Sequence, residues 1–200
     1  MNEAVLTPEK VLDVTEDVLR RYGLAKATVV DVARALDVSH GSVYRHFSSK
    51  ASLRNAVAKR WLDRVNAPLV AILEGSEPAP KKLDLWLRAL FDSKHRRVSE
   101  DPEMFNTYLA LAREACEVVK DHKGCLVGQI AQILRQGVEE GSLAIEAPDA
   151  TAQAIFDATS RFHHPGFASE WSETECHVRV DAVITLIMRG IVARPGQAGG

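Results

Sequence analysis

Residues 28–50 read TVVDVARALDVSHGSVYRHFSSK, two short helical patterns separated by residues that resist a helix. Thr28 stands where an N-cap belongs, and Val29, Val32, Ala33 and Leu36 recur at helical spacing behind it. The run stops at Asp37-Val38-Ser39. Asp tolerates the left-handed backbone of a sharp turn, and Ser39 is placed to cap a second helix over 40–47. Val43 and Phe47 lie four apart, so they share the face that packs on the first helix. His40, Gly41, Ser42 and Arg45 are then left pointing outward near the start of the second helix. A helix start built of small and polar side chains, offered to solvent, meets the requirements of major-groove reading.

The stretch resembles the TetR family of transcriptional regulators. In that family a helix opens with Thr, runs through an Ala-rich segment into a Val-Ser turn, and closes with Gly-x-x-Tyr-x-His-Phe before a Lys. The matching residues are Thr28, Val32, Ala33, Val38, Ser39, Gly41, Tyr44, His46, Phe47 and Lys50, with Leu53 at the apolar position that opens the next helix. One departure is Leu36-Asp37, where the family often has Ala-Gly. The resemblance implies an all-α chain of about nine helices. An N-terminal three-helix helix-turn-helix DNA-binding domain would be followed by a C-terminal helical ligand-binding and dimerisation domain. The expected boundaries are 1–49 for the DNA-binding domain, 50–75 for a connecting helix and 76–200 for the regulatory part. Thr28, Ser39, Tyr44, His46 and Lys50 are the expected phosphate contacts, since hydroxyls, a helix start and a lysine suit that role. His40, Gly41, Ser42 and Arg45 are expected to face base edges. Arg45 suits guanine, and Gly41 lets the backbone approach the duplex.

Charge is unevenly distributed. Residues 1–60 hold 10 Lys/Arg against 7 Asp/Glu, and residues 61–200 hold 15 against 20. In the window 39–64, Arg45, Lys50, Arg54, Lys59, Arg60 and Arg64 face Asp63 alone. A basic end on a mildly acidic body points to an anionic partner for the N-terminal part. The first ten residues lack the basic start and apolar core of a signal peptide, and no apolar run reaches the ~18 residues of a membrane span. Cys116, Cys125 and Cys176 form no Cys-x-x-Cys pair, and their odd number fits reduced thiols in a cytoplasmic protein.

Elsewhere the pattern is helical throughout. Thr7-Pro8-Glu9 opens a helix whose face carries Val11, Thr15, Val18 and Tyr22 and which Gly23 closes. Ser49 caps a helix over 50–73 that Pro68 should kink or end. Residues 75–80 (GSEPAP) read as a linker. Further helices are expected over 81–98, from Pro102, over 113–140 up to Gly141, over 149–163 up to Pro165-Gly166, and over 173–191, with a frayed tail beyond.

Three further sites follow. Trp86, Phe91, Phe105, Tyr108, Phe156, Phe162 and His163 are candidates to line a small-molecule pocket between helices. For each aromatic taken singly, core packing is the simpler role. The family resemblance implies an unidentified effector there that changes the spacing of two DNA-reading heads, a repressor released by a small molecule being the expected form. Ile155, Val180, Val183, Ile184, Ile187 and Ile191 form the candidate face of a homodimer, because one helix-turn-helix reads few base pairs and a palindromic operator needs two. The alternative is a metal-responsive regulator using His163, His164, Cys176 and His177, or His122 and Cys125. Those spacings match no zinc pattern, so no metal ligand and no cofactor is assigned. No Gly-x-Ser-x-Gly, phosphate-cradling glycine loop or His-Glu-x-x-His is present, and no enzymatic activity is expected.

Overall fold

The computed structural model describes residues 6–171 and 175–193. Among them the chain forms α1 (Pro8–Lys26), α2 (Val29–Ala35), α3 (His40–Tyr44), α4 (Lys50–Glu74), α5 (Ala79–Glu100), α6 (Pro102–Glu114), α7 (Cys116–Glu139), α8 (Pro148–Ala158), α9 (Ser160–His163) and α10 (Cys176–Ile191), with a 3-10 helix over Pro165–Glu170. The described residues contain no strand, only an isolated antiparallel bridge between Leu143 and Val192. The chain divides into two compact units, 1–63 with 101–120, and 64–100 with 121–200.

In the first unit α2 packs on both α1 and α3. Thr7 caps α1 by accepting from the Lys10 amide at 3.2 Å, and Pro8 is the first helical residue. The α1 face buries Val11, Thr15, Val18 and Leu19. Tyr22, expected on that face, is instead 44% exposed, with the Arg21 guanidinium 5.4 Å from its ring. The helical run breaks immediately after it, where Gly23 adopts φ 73° and ψ 163°. On α4, Trp61 stacks on Tyr108 of α6 at 4.7 Å and 13° and meets Phe105 edge-on.

Helix α4 continues through Pro68 to Glu74 and does not end there. The proline ring removes one ladder hydrogen bond. Val65 and Leu69 flank it with no exposed surface, so tertiary packing of this turn outweighs the lost bond.

The core of the second unit includes Leu83, Trp86, Leu90 and Phe91 of α5 and Leu126, Ile130, Ile133 and Leu134 of α7, all buried. Two polar ties cross this core. Trp86 Nε1 donates to Gln129 Oε1 at 2.9 Å, and Gln129 Nε2 donates to Asn66 Oδ1 at 2.9 Å. Lys82 Nζ donates to the Leu73 carbonyl at 3.1 Å and to Gln136 Oε1 at 2.9 Å. The C-terminal half of α4 is thereby bonded to both α5 and α7.

The chain between α6 and α7 breaks at Ala115 (φ −95°, ψ 52°), so the long helix begins at Cys116 rather than at 113. The expected helix over 149–163 is split at Thr159, whose hydroxyl donates back to the Ile155 carbonyl at 2.8 Å. That split and the 3-10 helix are the elements beyond the expected nine. Glu173, the expected start of the last helix, and residues 194–200 of the tail lie outside the described residues.

Candidate nucleic-acid interface and ligand cleft

The helix-turn-helix is built from its caps. The Thr28 hydroxyl accepts from the Asp31 amide at 3.2 Å and donates to Asp31 Oδ2 at 2.6 Å, while the Thr28 amide donates to the same carboxylate at 3.1 Å. This reciprocal capping fixes the start of α2. The Thr28 hydroxyl bond holds the Asp31 carboxyl below its ordinary range. Helix α2 ends in a Schellman turn: Val38 N–H donates to the Ala33 carbonyl at 3.0 Å and Asp37 N–H to that of Arg34 at 3.2 Å. Asp37 sits at φ 55°, the left-handed position at which the family often places glycine. The Ser39 side chain then accepts from the Ser42 amide at 3.2 Å and caps α3.

Helix α3 ends at Tyr44, short of the expected residue 47; Val43 within it and Phe47 just beyond it are both buried. On the outer side, Thr28, Ser39, His40, Gly41, Tyr44, Arg45, His46 and Lys50 are exposed and Ser42 is half-buried. Thus all nine candidate residues lie at or near the surface, while Val43 and Phe47 supply the buried apolar side chains of residues 39–50. Arg45 Nη2 donates to Ser42 Oγ at 2.9 Å, and Ser42 Oγ lies 2.9 Å from Ser39 Oγ, a chain that aligns three of the candidates along one side. The His40 and Tyr44 rings meet edge-on at 6.2 Å. A Cβ placed on Gly41 would meet only Ser39 Oγ, at 3.7 Å. The fold therefore leaves room for a side chain at residue 41. Ser49 accepts from the Ser52 amide at 3.0 Å and caps α4, with Lys50 exposed at its first turn.

The basic window 39–64 is largely committed within the first unit. Arg54 donates to Glu114 at 2.7 Å and to the Leu24 carbonyl at 3.0 Å. Arg60 reaches Asp13 at 2.7 Å and Glu16 at 3.0 Å, and Lys59 pairs with Asp63 at 2.8 Å. Arg45 and Lys50 are the members of that window which stand on the helix-turn-helix surface, so the local site carries the electrostatic argument and the overall charge count does not.

The pocket candidates are dispersed. Phe91 of α5, Phe162 and His163 of α9, Thr159, Leu87, Leu90, and Val180 and Ile184 of α10 line one tight cleft in the second unit, with about 10 Å³ of free volume, room for a single water. That is far below the ~300–1,000 Å³ usual for small-molecule sites. Phe156 lies behind His163, ring centroids 4.5 Å apart. Trp86 is wholly buried in the polar tie to Gln129. Phe105 and Tyr108 belong to the first unit, on Trp61. Leu87 and Leu90 were detectable from their spacing to Phe91. Val180 and Ile184 were not, because α10 is apolar on more than one side. They and Ile155, read as dimer residues, are buried inside the protomer; Val183, Ile187 and Ile191 are half-buried, while Val178 and Leu186 are 67% and 72% exposed.

The histidines and cysteines find local partners. His163 Nε2 lies 3.2 Å from the Phe156 carbonyl and 3.4 Å from Thr159 Oγ1, and burial holds the ring's pKa down to about 4. The neutral ring therefore carries its proton on Nε2, donated to Phe156. His164 Nδ1 accepts from the Gly166 amide at 3.1 Å. Cys176 Sγ lies 3.8 Å from Nε2 of His95, a residue the sequence grouping missed, and His95 stacks on Trp171 at 5.2 Å. Among the described residues no three His, Cys, Asp or Glu side chains are grouped as a metal would require, and the metal-responsive alternative is not favoured.

Two family models match this chain. One, described as bacterial regulatory proteins, tetR family, covers residues 11–57; the other, tetracyclin repressor-like, C-terminal domain, covers residues 79–184, over half of the chain. The chain belongs to the TetR family. It is a DNA-binding transcriptional regulator. The HTH-type transcriptional regulator TtgR of Pseudomonas putida is 24% identical over 174 residues, 80% of each protein. SmeT, the repressor of the Stenotrophomonas maltophilia multidrug efflux pump SmeDEF, has the same fold at 17% identity, with a TM-score of 0.68 over 98% of this chain and 97% of that one. A complex of SmeT with triclosan superposes with a TM-score of 0.66 at 17% identity, over 96% and 97% of the two chains. No helix among the described residues is long and apolar enough to cross a membrane.

Proposed function

We propose that this TetR-family regulator is a homodimeric repressor that reads a palindromic operator through His40, Gly41, Ser42 and Arg45 and is released by a small apolar effector in the cleft of the second unit. The observation that carries the reading is the outward helix-turn-helix face. Side chains suited to bases and phosphates are exposed there, while Val43 and Phe47 are buried on the opposite side. Ser39, Tyr44, His46 and Lys50 supply phosphate contacts. Thr28 acts by capping α2, since its hydroxyl and amide are already bonded to Asp31. The cleft is lined mainly by apolar side chains, and its α5 wall is bonded to α4 through Trp86, Gln129 and Asn66. An effector that favours one arrangement of these helices shifts the population of DNA-competent dimers. SmeT, a fold relative, has been captured in complex with triclosan, which supports a small-molecule effector.

The dimer face is centred on the outer side of α10. Val178, Ala182 and Leu186 repeat every four residues and are exposed, with half-buried Val183 beside them. On α8, Ala150, Ala154 and Ala158 form an exposed stripe that permits close helix approach. A two-fold interface pairs each patch with its own copy. Sedimentation of the Leu186→Glu variant tests this: a folded monomer that no longer retains operator DNA is expected. A dimer unaltered by this charge would place the interface elsewhere.

A further inference from the structure

Arg54, in the second turn of α4, belongs to the basic window yet turns inward: its side chain is 19% exposed. Its two terminal nitrogens are divided between distant parts of the first unit. Nη1 donates to Glu114 Oε2 at 2.7 Å, and Nη2 donates to the Leu24 carbonyl at 3.0 Å. Both acceptors lie where a helix ends. Leu24 follows Gly23, whose φ of 73° interrupts α1. The amide that a continuing helix would direct at the Leu24 carbonyl is that of Thr28, and Thr28 N–H donates to Asp31 instead. Arg54 therefore takes the place of the missing helical donor. Glu114 is the last residue of α6, where the aligned peptide dipoles leave partial negative charge. An acid is unfavourable at that end unless a cation stands beside it, and the Arg54 guanidinium does so.

We infer that Arg54 is a positioning residue for operator recognition: through Leu24 and Glu114 it holds the segment 24–28 from which α2 starts, without touching DNA itself. This deepens the helix-turn-helix reading and rests on it. Four residues separate the Leu24 carbonyl from Thr28, which caps α2, and α2 carries α3. Lys50, one turn before Arg54 on the same face of α4, is exposed, and both border the seam at Thr28 and Val29. The two basic residues have different roles: Lys50 meets the phosphate, and Arg54 fixes the backbone that presents the reading helices. Glu114, at the C-terminal end of α6, thereby reaches the backbone leading into α2 through a single side chain. Electrostatics alone and positioning give opposite signs for Glu114. Removing an acid from a DNA-binding unit strengthens its attraction to a polyanion. Releasing Arg54 from its partner loosens residues 24–28 and weakens sequence-specific binding.

Arg54→Met and Glu114→Gln test this on the full chain. Gel-shift titration over a salt series uses the sequence that the parent enriches from random duplex DNA, beside a scrambled duplex. Met keeps the apolar stem of Arg54 and Gln the shape of Glu114, and thermal melting checks both folds. Arg54→Met is expected to weaken binding to the enriched sequence about tenfold or more, and Glu114→Gln about threefold or more. Glu114→Gln should bind the scrambled duplex as the parent does, or more tightly. The slope of log affinity on log salt should stay that of the parent in both variants, whereas Lys50→Met, which removes a phosphate contact, should flatten it by about 0.9 per bound copy. The double variant should bind no more weakly than Arg54→Met alone, because the two residues act as a unit. Should Arg54→Met not fold, Glu114→Gln decides, its side chain being 51% exposed. Unchanged or tighter binding of the enriched sequence by Glu114→Gln, a flatter salt slope for Arg54→Met, or a lowered melting temperature with affinity for the enriched sequence intact would overturn the inference alone. A parent that enriches no sequence would overturn the helix-turn-helix reading and the inference with it.

Discussion

The helix-turn-helix and the cleft use their side chains in opposite ways. Around α3, the residues that hold the fold (Val43 and Phe47) are different from those that face outward (His40, Gly41, Arg45), and they occupy opposite sides of five to eight residues. Around the cleft, Leu90, Phe91, Phe162, Val180 and Ile184 are at once the core of the second unit and the wall of the proposed effector site. A surface whose function is separable from packing can change specificity without changing stability. A cleft made of core cannot, so each change of ligand preference there also changes the protein's stability.

The largest expected effect lies on the DNA side. Arg45→Ala should weaken operator binding by about 2–6 kcal/mol across the two copies of a dimer and relax base preference at one position, with unfolding unchanged within about 0.5 kcal/mol. Gel-shift titration beside chemical denaturation reads both quantities. A matching loss of stability would erase the contrast between the regions. Trp86→Ala should do the reverse, costing about 3–5 kcal/mol of stability through the cavity and the unmet Gln129, as denaturant unfolding would record.

Next in size is a pH effect confined to the cleft. His163 has an ordinary value of 6.5 and is held at about 4 in the folded chain by burial. The unfolded chain therefore binds the proton first as pH falls. Stability is full above about pH 6.5 and declines toward pH 4, by up to about 3 kcal/mol from this group. His95, lowered in the same direction by burial and by His177, adds a smaller share because it is partly exposed. Unfolding of the His163→Gln variant measured from pH 7 to 4 should show a flatter curve than the parent. Identical curves would remove His163 from the account.

The smallest effects sharpen the contrast most. Asp37→Gly relieves the left-handed φ of 55° and should stabilise the chain by up to about 1 kcal/mol without altering operator affinity. Gly41→Ala should also stabilise, by up to about 1 kcal/mol, because a Cβ there meets only Ser39 Oγ at 3.7 Å. Its operator affinity should nevertheless fall about tenfold or more, since the space belongs to the DNA. Parallel melting and binding curves for the two variants decide the matter.

The same contrast explains what was legible in the sequence. Thr28, Ser39, Val43 and Phe47 are local: two caps and two apolar anchors, written within twenty residues; the caps form and both anchors are buried, although α3 ends at Tyr44. Pro102 and Gly141 mark element ends for the same reason. Pro68 does not end α4 because its local cost is met by burial of Val65 and Leu69. The cleft was half legible. Phe91, Phe162 and His163 were singled out, but Phe105 and Tyr108 belong to the first unit, and Val180 and Ile184 turned inward. An apolar helix does not declare which of its sides meets its own protomer. The basic window overstated the case for DNA, since Arg54 and Arg60 are bonded to Glu114, Asp13 and Glu16, acids distant in sequence.

Selection of the full chain on random-sequence duplex DNA, repeated over a salt series, tests the central claim most directly. The account predicts enrichment of an inverted repeat whose half-site centres lie about one helical turn or a multiple of it apart, read in parallel by Arg45 of each copy. Recovery of sequence-blind DNA at every salt concentration would contradict it and leave the exposed face of α3 without a reading role.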